Sequence, residues 1–240
     1  MRIVTWNANA HARITLPTSA QAAFVRTREA ISSFKPDIAV FQEIPNPFAS
    51  NTPTQFWHGP ITARGVAVCT QPEFRLTPLF VTPPQSVFPF CVEGPVSFIL
   101  LAVWSLPPER GPSLQGYVRE VMIGVELCRK DLCAGPAVIV GDFNSSGPED
   151  ASAKPFTHGA LVRMLRDEFN LVSAYHQARN ITHNEEPEQT FYLYRQQERS
   201  FHIDYCFVPA TWTVKAVKVG SFEAWSTRSD HCALVVDVAP

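Results

Sequence analysis

The sequence has almost no net charge. Its 240 residues include 20 basic and 22 acidic side chains, which gives a formal net charge of −2 with histidine neutral. A protein that holds nucleic acid by charge alone needs a large basic excess, so that class is excluded. Hydrophobic residues make up 45% of the chain, which excludes an intrinsically disordered protein. A nucleic-acid partner would therefore need local arginines or a bound metal ion.

The sequence also lacks the segments that would place it in a membrane or an oxidising compartment. It has no run of about 18 apolar residues, so we expect no membrane span. The stretch from Met1 to Asn7 is typical of a strand and has no apolar signal-peptide core. The six cysteines include no C-x2-C pair, and several lie in apolar runs, which predicts free and buried thiols. These features predict a cytoplasmic protein.

The hydrophobic pattern indicates strands at both ends of the chain and helices between them. Two β-α-β arrangements enclose a series of short strands, which predicts one domain over residues 1–240 with two sheets and outer helices. Helices are predicted near 20–34, 114–128 and 159–169. The polar stretch 176–189 is predicted to be a loop, and residues 190–194 a strand.

Five short segments join an apolar strand to polar side chains that suit a cation or a phosphate. They are Trp6–Asn9, Phe41–Glu43, Val140–Asn144, His202–Tyr205 and Ser229–His231. The ends of strands in a rigid sheet hold side chains more firmly than loops do. Carboxylate and amide oxygens suit magnesium, manganese or calcium, whereas soft-metal chemistry would need a cysteine pair.

Each segment alone also has an ordinary structural explanation. Asp142 or Asp230 alone is explained by a cap or a turn, and Asn7 by a turn. Glu43 and Asp204 are harder to explain in this way, because each lies beside apolar residues. A buried carboxylate is costly unless it has a partner.

Taken together, the five segments resemble the endonuclease/exonuclease/phosphatase superfamily, which includes exonuclease III-like enzymes, pancreatic DNase and inositol-polyphosphate phosphatases. The resemblance spans Ile3 to Val238 and is strongest at Gly141–Asn144, Ile203–Tyr205 and Ser229–Cys232. It implies an α+β fold, a four-layer α/β/β/α sandwich of two mainly antiparallel or mixed sheets flanked by helices. The site would lie at one end of the two packed sheets.

The resemblance also implies a metal site. Glu43 would be the main carboxylate ligand of Mg²⁺ or Mn²⁺, and Asn7 and Asp230 would complete the metal environment. A bound divalent ion neutralises the charge that develops when a phosphodiester is cleaved. Asn9 is a lesser candidate for substrate binding.

Catalytic roles follow from the same resemblance. Asp142 would orient and deprotonate the attacking water, and Asn144 would contact the phosphate. Asp204 and His231 resemble the Asp–His pair of the family, in which the protonated histidine meets a phosphate oxygen.

Some residues depart from the apurinic-endonuclease branch of this superfamily. Gly-Leu-Arg does not follow Asn7, and no lysine closely follows Glu43. Residues 104–108 read Trp-Ser-Leu-Pro-Pro where relatives often show Tyr-x-Pro-Asn. These differences argue against specificity for abasic sites and leave metal-dependent phosphoester hydrolysis intact.

Aromatic and basic side chains near the predicted site are candidates for substrate contact. Trp104 would stack on a base, or else fill the core. Arginine outnumbers lysine fifteen to five, and arginine clamps phosphate with paired donors. Any one of the loop arginines alone is more typical of a solvated side chain, and Arg195 and Arg199 are the best candidates for substrate contact. The others are Arg13, Arg64, Arg110 and Arg228.

The sequence thus predicts a magnesium- or manganese-dependent phosphodiesterase, in first place a nuclease that acts on DNA as an endonuclease or exonuclease. The alternative is a phosphatase or phosphodiesterase for a small or lipid phosphate. A binding module with an inactive site is a third interpretation, which the chemically competent polar residues disfavour. We expect a monomer without an obligate protein partner.

Overall fold

Two six-stranded sheets form the centre of the molecule. The computed structural model describes residues 1–9, 20–61, 64–80, 85–106, 114–148 and 155–240. The first sheet has the order β13-β14-β1-β2-β4-β3. Its strands are β1 (Arg2–Asn7), β2 (Ile38–Ile44), β3 (Gln55–Ile61), β4 (Arg64–Thr70), β13 (Thr213–Val219) and β14 (Leu234–Ala239).

The second sheet has the order β5-β6-β7-β8-β12-β9. Its strands are β5 (Arg75–Pro78), β6 (Val87–Glu93), β7 (Phe98–Trp104), β8 (Ala137–Asp142), β9 (Leu171–Ser173) and β12 (Asp204–Pro209). In each sheet one pair of strands is parallel, β1 with β2 and β7 with β8, and the remaining pairs are antiparallel. A separate two-stranded hairpin joins β10 (Phe191–Tyr192) to β11 (Ser200–Phe201).

Six described helices accompany the sheets. They are α1 (Ala20–Ile31), α2 (Leu114–Leu127), α3 (Arg129–Ala134), α4 (His158–Phe169), α5 (Ala174–Arg179) and α6 (Phe222–Trp225). Among the described residues, none of these helices combines the length and the apolar character that a membrane crossing needs.

Alternating side chains divide the interior into layers. Ile3 of β1 packs in the cluster between the sheets, whereas the next residue, Val4, packs on the outer face with Phe24 of α1. On the other sheet, Val103 packs outward with residues of α2 and α4. Successive side chains of a strand point to opposite faces, so strands that read as continuous apolar runs are covered on both sides. The predicted four-layer α/β/β/α sandwich is confirmed.

Local differences occur where the hydrophobic pattern is short. Residues 176–189 are not all loop, because Ala174–Arg179 form α5. The strand predicted over 190–194 ends at Tyr192. Tyr194 and Arg195 have φ values of 55° and 57°, and this left-handed backbone turns the chain out of the strand. The helix predicted to reach Phe34 ends at Ile31 and continues as one tighter turn.

Candidate active site

The polar residues singled out in the sequence lie at one end of the sandwich. Asn7 is the last residue of β1, and its neighbour Gln42 in β2 is followed by Glu43. Asp142 ends β8 and stands opposite Asp204, the first residue of the antiparallel strand β12. His231 precedes β14, the other neighbour of β1. Residues far apart in sequence are therefore brought together by strand register.

The amide of Asn7 connects the two sheets. Its Nδ2 donates hydrogen bonds to Asp142 Oδ2 at 2.9 Å and to Glu43 Oε1 at 3.2 Å. Its Oδ1 accepts a hydrogen bond from the backbone N–H of Asn9 at 3.1 Å. Asn7 is buried, so one amide orients carboxylates that come from both sheets.

Glu43 lies at the solvent edge of this arrangement. Its backbone has a φ of 56°, a left-handed conformation that non-glycine residues seldom adopt outside turns and functional sites. Its Oε2 accepts a hydrogen bond from Arg64 Nη1 at 2.9 Å, and 19% of the side chain remains exposed. Glu43 is thus a carboxylate that a solvent-borne ligand can reach.

Asp142 is fully buried and held by the turn that follows it. The backbone N–H of Asn144 donates to Asp142 Oδ1 at 2.9 Å, and Asn144 Nδ2 lies 3.3 Å from Oδ2. The preceding Gly141 has a φ of 146°, and a Cβ there would collide with the carbonyl of Val103. A glycine is therefore required for the close pairing of β7 with β8 just before Asp142.

Asp204 and His231 form a buried pair beside Asp142. His231 Nδ1 lies 2.9 Å from Asp204 Oδ2, and His231 Nε2 lies 3.9 Å from Asp142 Oδ2. Asp204 is positioned by Thr190, whose Oγ1 accepts hydrogen bonds from the N–H groups of Ile203 and Asp204, both at 3.0 Å.

The charges of this pair reinforce one another. Burial by itself would lower the pKa of His231, but the negative charges of Asp204 and Asp142 outweigh burial and raise that pKa to about 10. Burial raises the pKa of Asp142 to about 7, with the charge of Asp204 acting in the same direction and that of His231 opposing it. At neutral pH His231 is therefore a cation, and Asp142 can both lose and accept a proton.

Two different parts of this site could be considered for a metal ion. Asp142, Asp204 and His231 bring one ligand atom each within 4.8 Å of one another. However, a protonated imidazole has no lone pair for a metal, so this group is an ion cluster. The carboxylates of Glu43 and Asp142 offer the oxygen donors that suit a hard divalent cation, and Asn7 Nδ2 lies between them.

Asp230 and Asn9 lie together at the side of Asn7. Asn9 Nδ2 donates to Asp230 Oδ1 at 3.0 Å. Asn9 has a φ of 42°, and its buried Oδ1 has no hydrogen-bond partner among the described residues. The pair therefore presents oxygen atoms next to Asn7.

The residues predicted to contact substrate have different positions. Trp104 is only 2% exposed and belongs to the core between the sheets. The prediction that it stacks on a substrate base is therefore wrong, and the alternative prediction that it fills the core is correct. Arg195 and Arg199 are exposed between β10 and β11, and the Arg199 guanidinium lies 5.2 Å from the ring centroid of Tyr194. Arg13 and Arg110 lie outside the described residues.

The β10–β11 hairpin is attached directly to the site. The backbone N–H of Tyr192 donates to the carbonyl of Asp230 at 2.8 Å, and the Phe191 ring centroid lies 4.7 Å from that of His231. The hairpin that carries the exposed arginines at its turn therefore begins beside His231 and Asp230.

Three residues around this site were assigned no role from the sequence. Thr190 supports Asp204, and Ser229 Oγ lies 2.8 Å from the carbonyl of Asn7 while accepting a hydrogen bond from the N–H of His231. Burial and the charges of Asp142 and Glu43 raise the pKa of the Tyr117 phenol in α2. Serine, threonine and tyrosine are too common for a sequence pattern to distinguish these positions.

Comparisons with known proteins agree with this fold. The model of the Endonuclease/Exonuclease/phosphatase family matches residues 4–231. No match was found among curated proteins.

Solved structures show the same fold at low identity. The 3'-5' exonuclease NExo of Neisseria meningitidis is 22% identical over 99% of each chain, with a TM-score of 0.69. A structure of the 3' phosphatase NExo from Neisseria with a product DNA hairpin is 21% identical over 100% of each chain, with a TM-score of 0.67. Truncated TDP2 of Caenorhabditis elegans is 12% identical over 100% of this chain and 97% of its own, with a TM-score of 0.67.

Proposed function

The chain belongs to the endonuclease/exonuclease/phosphatase family, and on this premise we propose that it is a Mg²⁺- or Mn²⁺-dependent hydrolase that cleaves phosphodiester bonds in DNA. The observation that carries the proposal is the placement of His231 between Asp204 and Asp142, beside the Asn7–Glu43 pair. This arrangement combines a cation for a phosphate oxygen, a base for water and oxygen ligands for a metal.

The proposed metal ligands are Glu43 and Asn7, with Asp230 completing the environment. Carboxylate oxygens fit a hard cation, and Glu43 is open to solvent. Asn7 would offer its Oδ1 in place of the contact with the N–H of Asn9. A divalent ion bound there would supply electrostatic stabilisation for the charge that develops on the phosphate and the leaving oxygen. The Arg64 guanidinium donates to the other oxygen of this carboxylate, Glu43 Oε2.

Asp142 is proposed to orient and deprotonate the attacking water. Its buried carboxylate has a pKa raised to about 7, which suits proton transfer near neutral pH. Hydrogen bonds from Asn7 and from the backbone of Asn144 fix both of its oxygens. The base can therefore hold one orientation while a proton moves onto it.

His231 and Asn144 are proposed to contact the phosphate. Asp204 engages His231 Nδ1, so Nε2 is the nitrogen available to donate to a phosphate oxygen. Asn144 has a left-handed backbone with φ of 49°, and its amide is anchored by the carbonyl of Ser105 at 2.9 Å. Both groups are held before substrate binds, which is the condition for electrostatic stabilisation of a transition state.

DNA is the proposed substrate because the neighbouring hairpin offers Arg195 and Arg199 to a phosphate backbone. Exposed arginines give salt-dependent contacts that are independent of sequence. The chain has nearly no net charge, so these local contacts would carry most of the attraction. The second candidate is a phosphatase or phosphodiesterase for a small or lipid phosphate.

A substrate panel tests the proposal. Single-stranded, duplex, abasic and 3'-phosphorylated DNA, RNA and bis-p-nitrophenyl phosphate would be incubated with Mg²⁺, Mn²⁺ or EDTA. We expect metal-dependent cleavage of DNA that weakens as salt rises, and loss of that cleavage in Glu43→Gln. Glu168→Gln, a carboxylate-to-amide change at the far end of α4, is the matched control and should retain activity.

Each other outcome has a definite meaning. Turnover of bis-p-nitrophenyl phosphate without cleavage of DNA, and without salt dependence, would favour the small-phosphate alternative. The absence of metal-dependent turnover with every phosphoester would contradict the hydrolase itself.

A further inference from the structure

Four histidines lie together around the ring of Tyr205 in β12, outside the site described above. The ring centroids of His158, His176, His183 and His202 are all within 6.2 Å of the Tyr205 centroid. All four side chains are buried. We call these histidines, together with Glu186, the histidine cluster.

Three members of the cluster converge on one point. His176, His183 and Glu186 each bring a ligand atom within 4.8 Å of the others. His176 Nε2 lies 2.9 Å from Glu186 Oε1, and the Glu186 side chain is 6% exposed. The N–H of Asn184 donates to the same oxygen at 3.1 Å, which fixes the carboxylate.

The other ring nitrogens are held by the protein. His176 Nδ1 lies 2.8 Å from Ser173 Oγ, and His183 Nδ1 lies 3.1 Å from His158 Nε2. In histidines that bind metals, one nitrogen usually has such a partner while the other holds the ion. Nε2 is therefore the nitrogen that both His176 and His183 can offer.

A cavity leads to this group from the surface. It has a volume of about 430 Å³ and is lined by both His176 and His183, with Asn180 and Thr182 at its side. An ion and its water ligands can therefore enter without opening the core. A metal site needs an entry path of this kind, and a partly filled coordination shell needs room for water.

The fourth histidine has an unsatisfied nitrogen. His202 Nδ1 lies 2.8 Å from the carbonyl of Glu188, but its buried Nε2 has no hydrogen-bond partner among the described residues. Such atoms are uncommon in proteins, and an ion with its water ligands is one way to satisfy them.

We propose that His176, His183 and Glu186 form a second metal site, which binds a Zn²⁺-class transition-metal ion and is separate from the Glu43 end of the sandwich. Two imidazoles and one carboxylate are a donor set typical of zinc, which leaves a fourth position for water. The ion takes the place of the proton between His176 and Glu186. The two imidazoles are stacked with centroids 3.6 Å apart and planes 15° apart, so binding would require one ring to rotate about its side-chain bond and to exchange its Nδ1 contact for the ion.

The position of the site indicates what the ion does. It joins α5, which carries His176, to the segment of His183 and Glu186 that leads towards Thr190 and Asp204. Through His158, the cluster also reaches Ser145 Oγ at 3.1 Å, one residue beyond Asn144. The ion would therefore stabilise the packing beneath two segments that carry catalytic candidates, and it would not contact the substrate.

Metal titration in excess Mg²⁺ tests the inference. The full chain, stripped with EDTA, would be titrated with Zn²⁺ against a coloured chelator, and with Co²⁺ to record its visible spectrum. We expect one tight equivalent in the wild type and in Glu43→Gln. Affinity should fall at least about tenfold in Glu186→Gln and in His183→Gln, because even an outer partner of a ligand contributes that much. His58→Gln, a histidine of β3 outside the cluster, is the control and should bind normally.

Two results would overturn the inference. One is wild-type affinity in both cluster variants, with near-UV circular dichroism showing that they are folded. The other is loss of the tight equivalent in Glu43→Gln, which would place the ion at the catalytic end. Histidine-edited NMR of the wild type needs no variant: Zn²⁺ should shift imidazole signals in excess Mg²⁺, and unchanged signals would also contradict the site.

Discussion

His231 lies between two carboxylates, whereas His158 and His183 lie against each other and against aromatic rings. All three imidazoles are buried, and burial disfavours their charged form. In the active-site cluster (Asp142, Asp204 and His231), two negative charges overcome burial and the pKa of His231 rises to about 10. In the histidine cluster burial wins, lowering the pKa of His158 to about 3 and of His183 to about 2.

The difference shows that the partner, and not the depth of burial, decides the protonation state of a histidine here. Glu186 is the one described carboxylate within the histidine cluster, and His176 engages it directly. Burial would raise the pKa of Glu186, but hydrogen bonds from His176 and from backbone N–H groups outweigh burial and lower it to about 2. One cluster is thus built around a fixed cation, and the other around neutral rings with lone pairs for a ligand.

The largest effect on activity is expected when the base Asp142 is removed. Asp142→Asn keeps the shape of the side chain but removes its ability to accept a proton, so kcat should fall by about 10³-fold. Zn²⁺ affinity in the histidine cluster should stay at the wild-type value. Steady-state kinetics beside the chelator titration would check both, and a large change in Zn²⁺ binding would show that the two clusters are not independent.

The second largest effect on activity is expected from loss of the charge that keeps His231 protonated. Asp204→Asn removes a charge that raises the pKa of His231, so that pKa should fall towards its ordinary value near 6.5. Since the reaction needs protonated His231, activity is present below its pKa and is lost as pH rises through it. The alkaline limb of the pH–rate profile should therefore move to lower pH, with kcat at neutral pH reduced by about 10²-fold. An unmoved alkaline limb would contradict the assignment of that limb to His231.

A smaller effect is expected from the hairpin, which belongs to neither cluster. Arg195→Ala and Arg199→Ala should each raise KM for DNA a few-fold and leave kcat unchanged. The slope of log KM against log salt should fall by about 1 for each DNA phosphate that an arginine no longer neutralises. Equal KM and salt slope in the double variant would mean that the hairpin does not touch the DNA backbone.

The smallest effect on activity is expected within the histidine cluster. His158→Leu leaves Ser145 Oγ and His183 Nδ1 without their partners, at a cost of about 1–3 kcal/mol for each in the free energy of unfolding. Urea unfolding would measure this loss, with His58→Leu as the control. We expect kcat to change little. A fall in kcat as large as that of Asp204→Asn would show that the cluster acts in the reaction.

The fold and the polar residues of the active-site cluster could be predicted because each produces a local pattern in the sequence. Apolar runs that end on Asn7 or Asp142, or that begin on Asp204, reveal both a strand and its polar end. The contacts between them could not be predicted from the residues alone, because Asn7 and Asp142 are 135 positions apart and meet only through packing of the two sheets. Arg64, interpreted as a solvated side chain, contacts Glu43 for the same reason.

The histidine cluster escaped prediction because it has no local pattern. His176, His183 and Glu186 lie in a polar stretch that resembles a loop, and a six-residue helix is too short to show an apolar stripe. The imidazoles of His176 and His183 are buried against the ring of Tyr205, which belongs to a strand that comes later in the chain. A sequence pattern detects buried apolar residues far better than buried polar ones, because the latter depend on partners.

The pairing of β1 with β14 has a consequence for the synthesis of the protein on the ribosome. The Trp6 indole donates to the carbonyl of His231 at 3.0 Å, and Ser229 Oγ lies 2.8 Å from the carbonyl of Asn7. The catalytic end is thus closed by residues more than 220 positions apart. A growing chain on the ribosome holds Glu43 and Asp142 before it holds His231, so the catalytic end of the proposed hydrolase can be completed only after His231 and Ser229 have been synthesised.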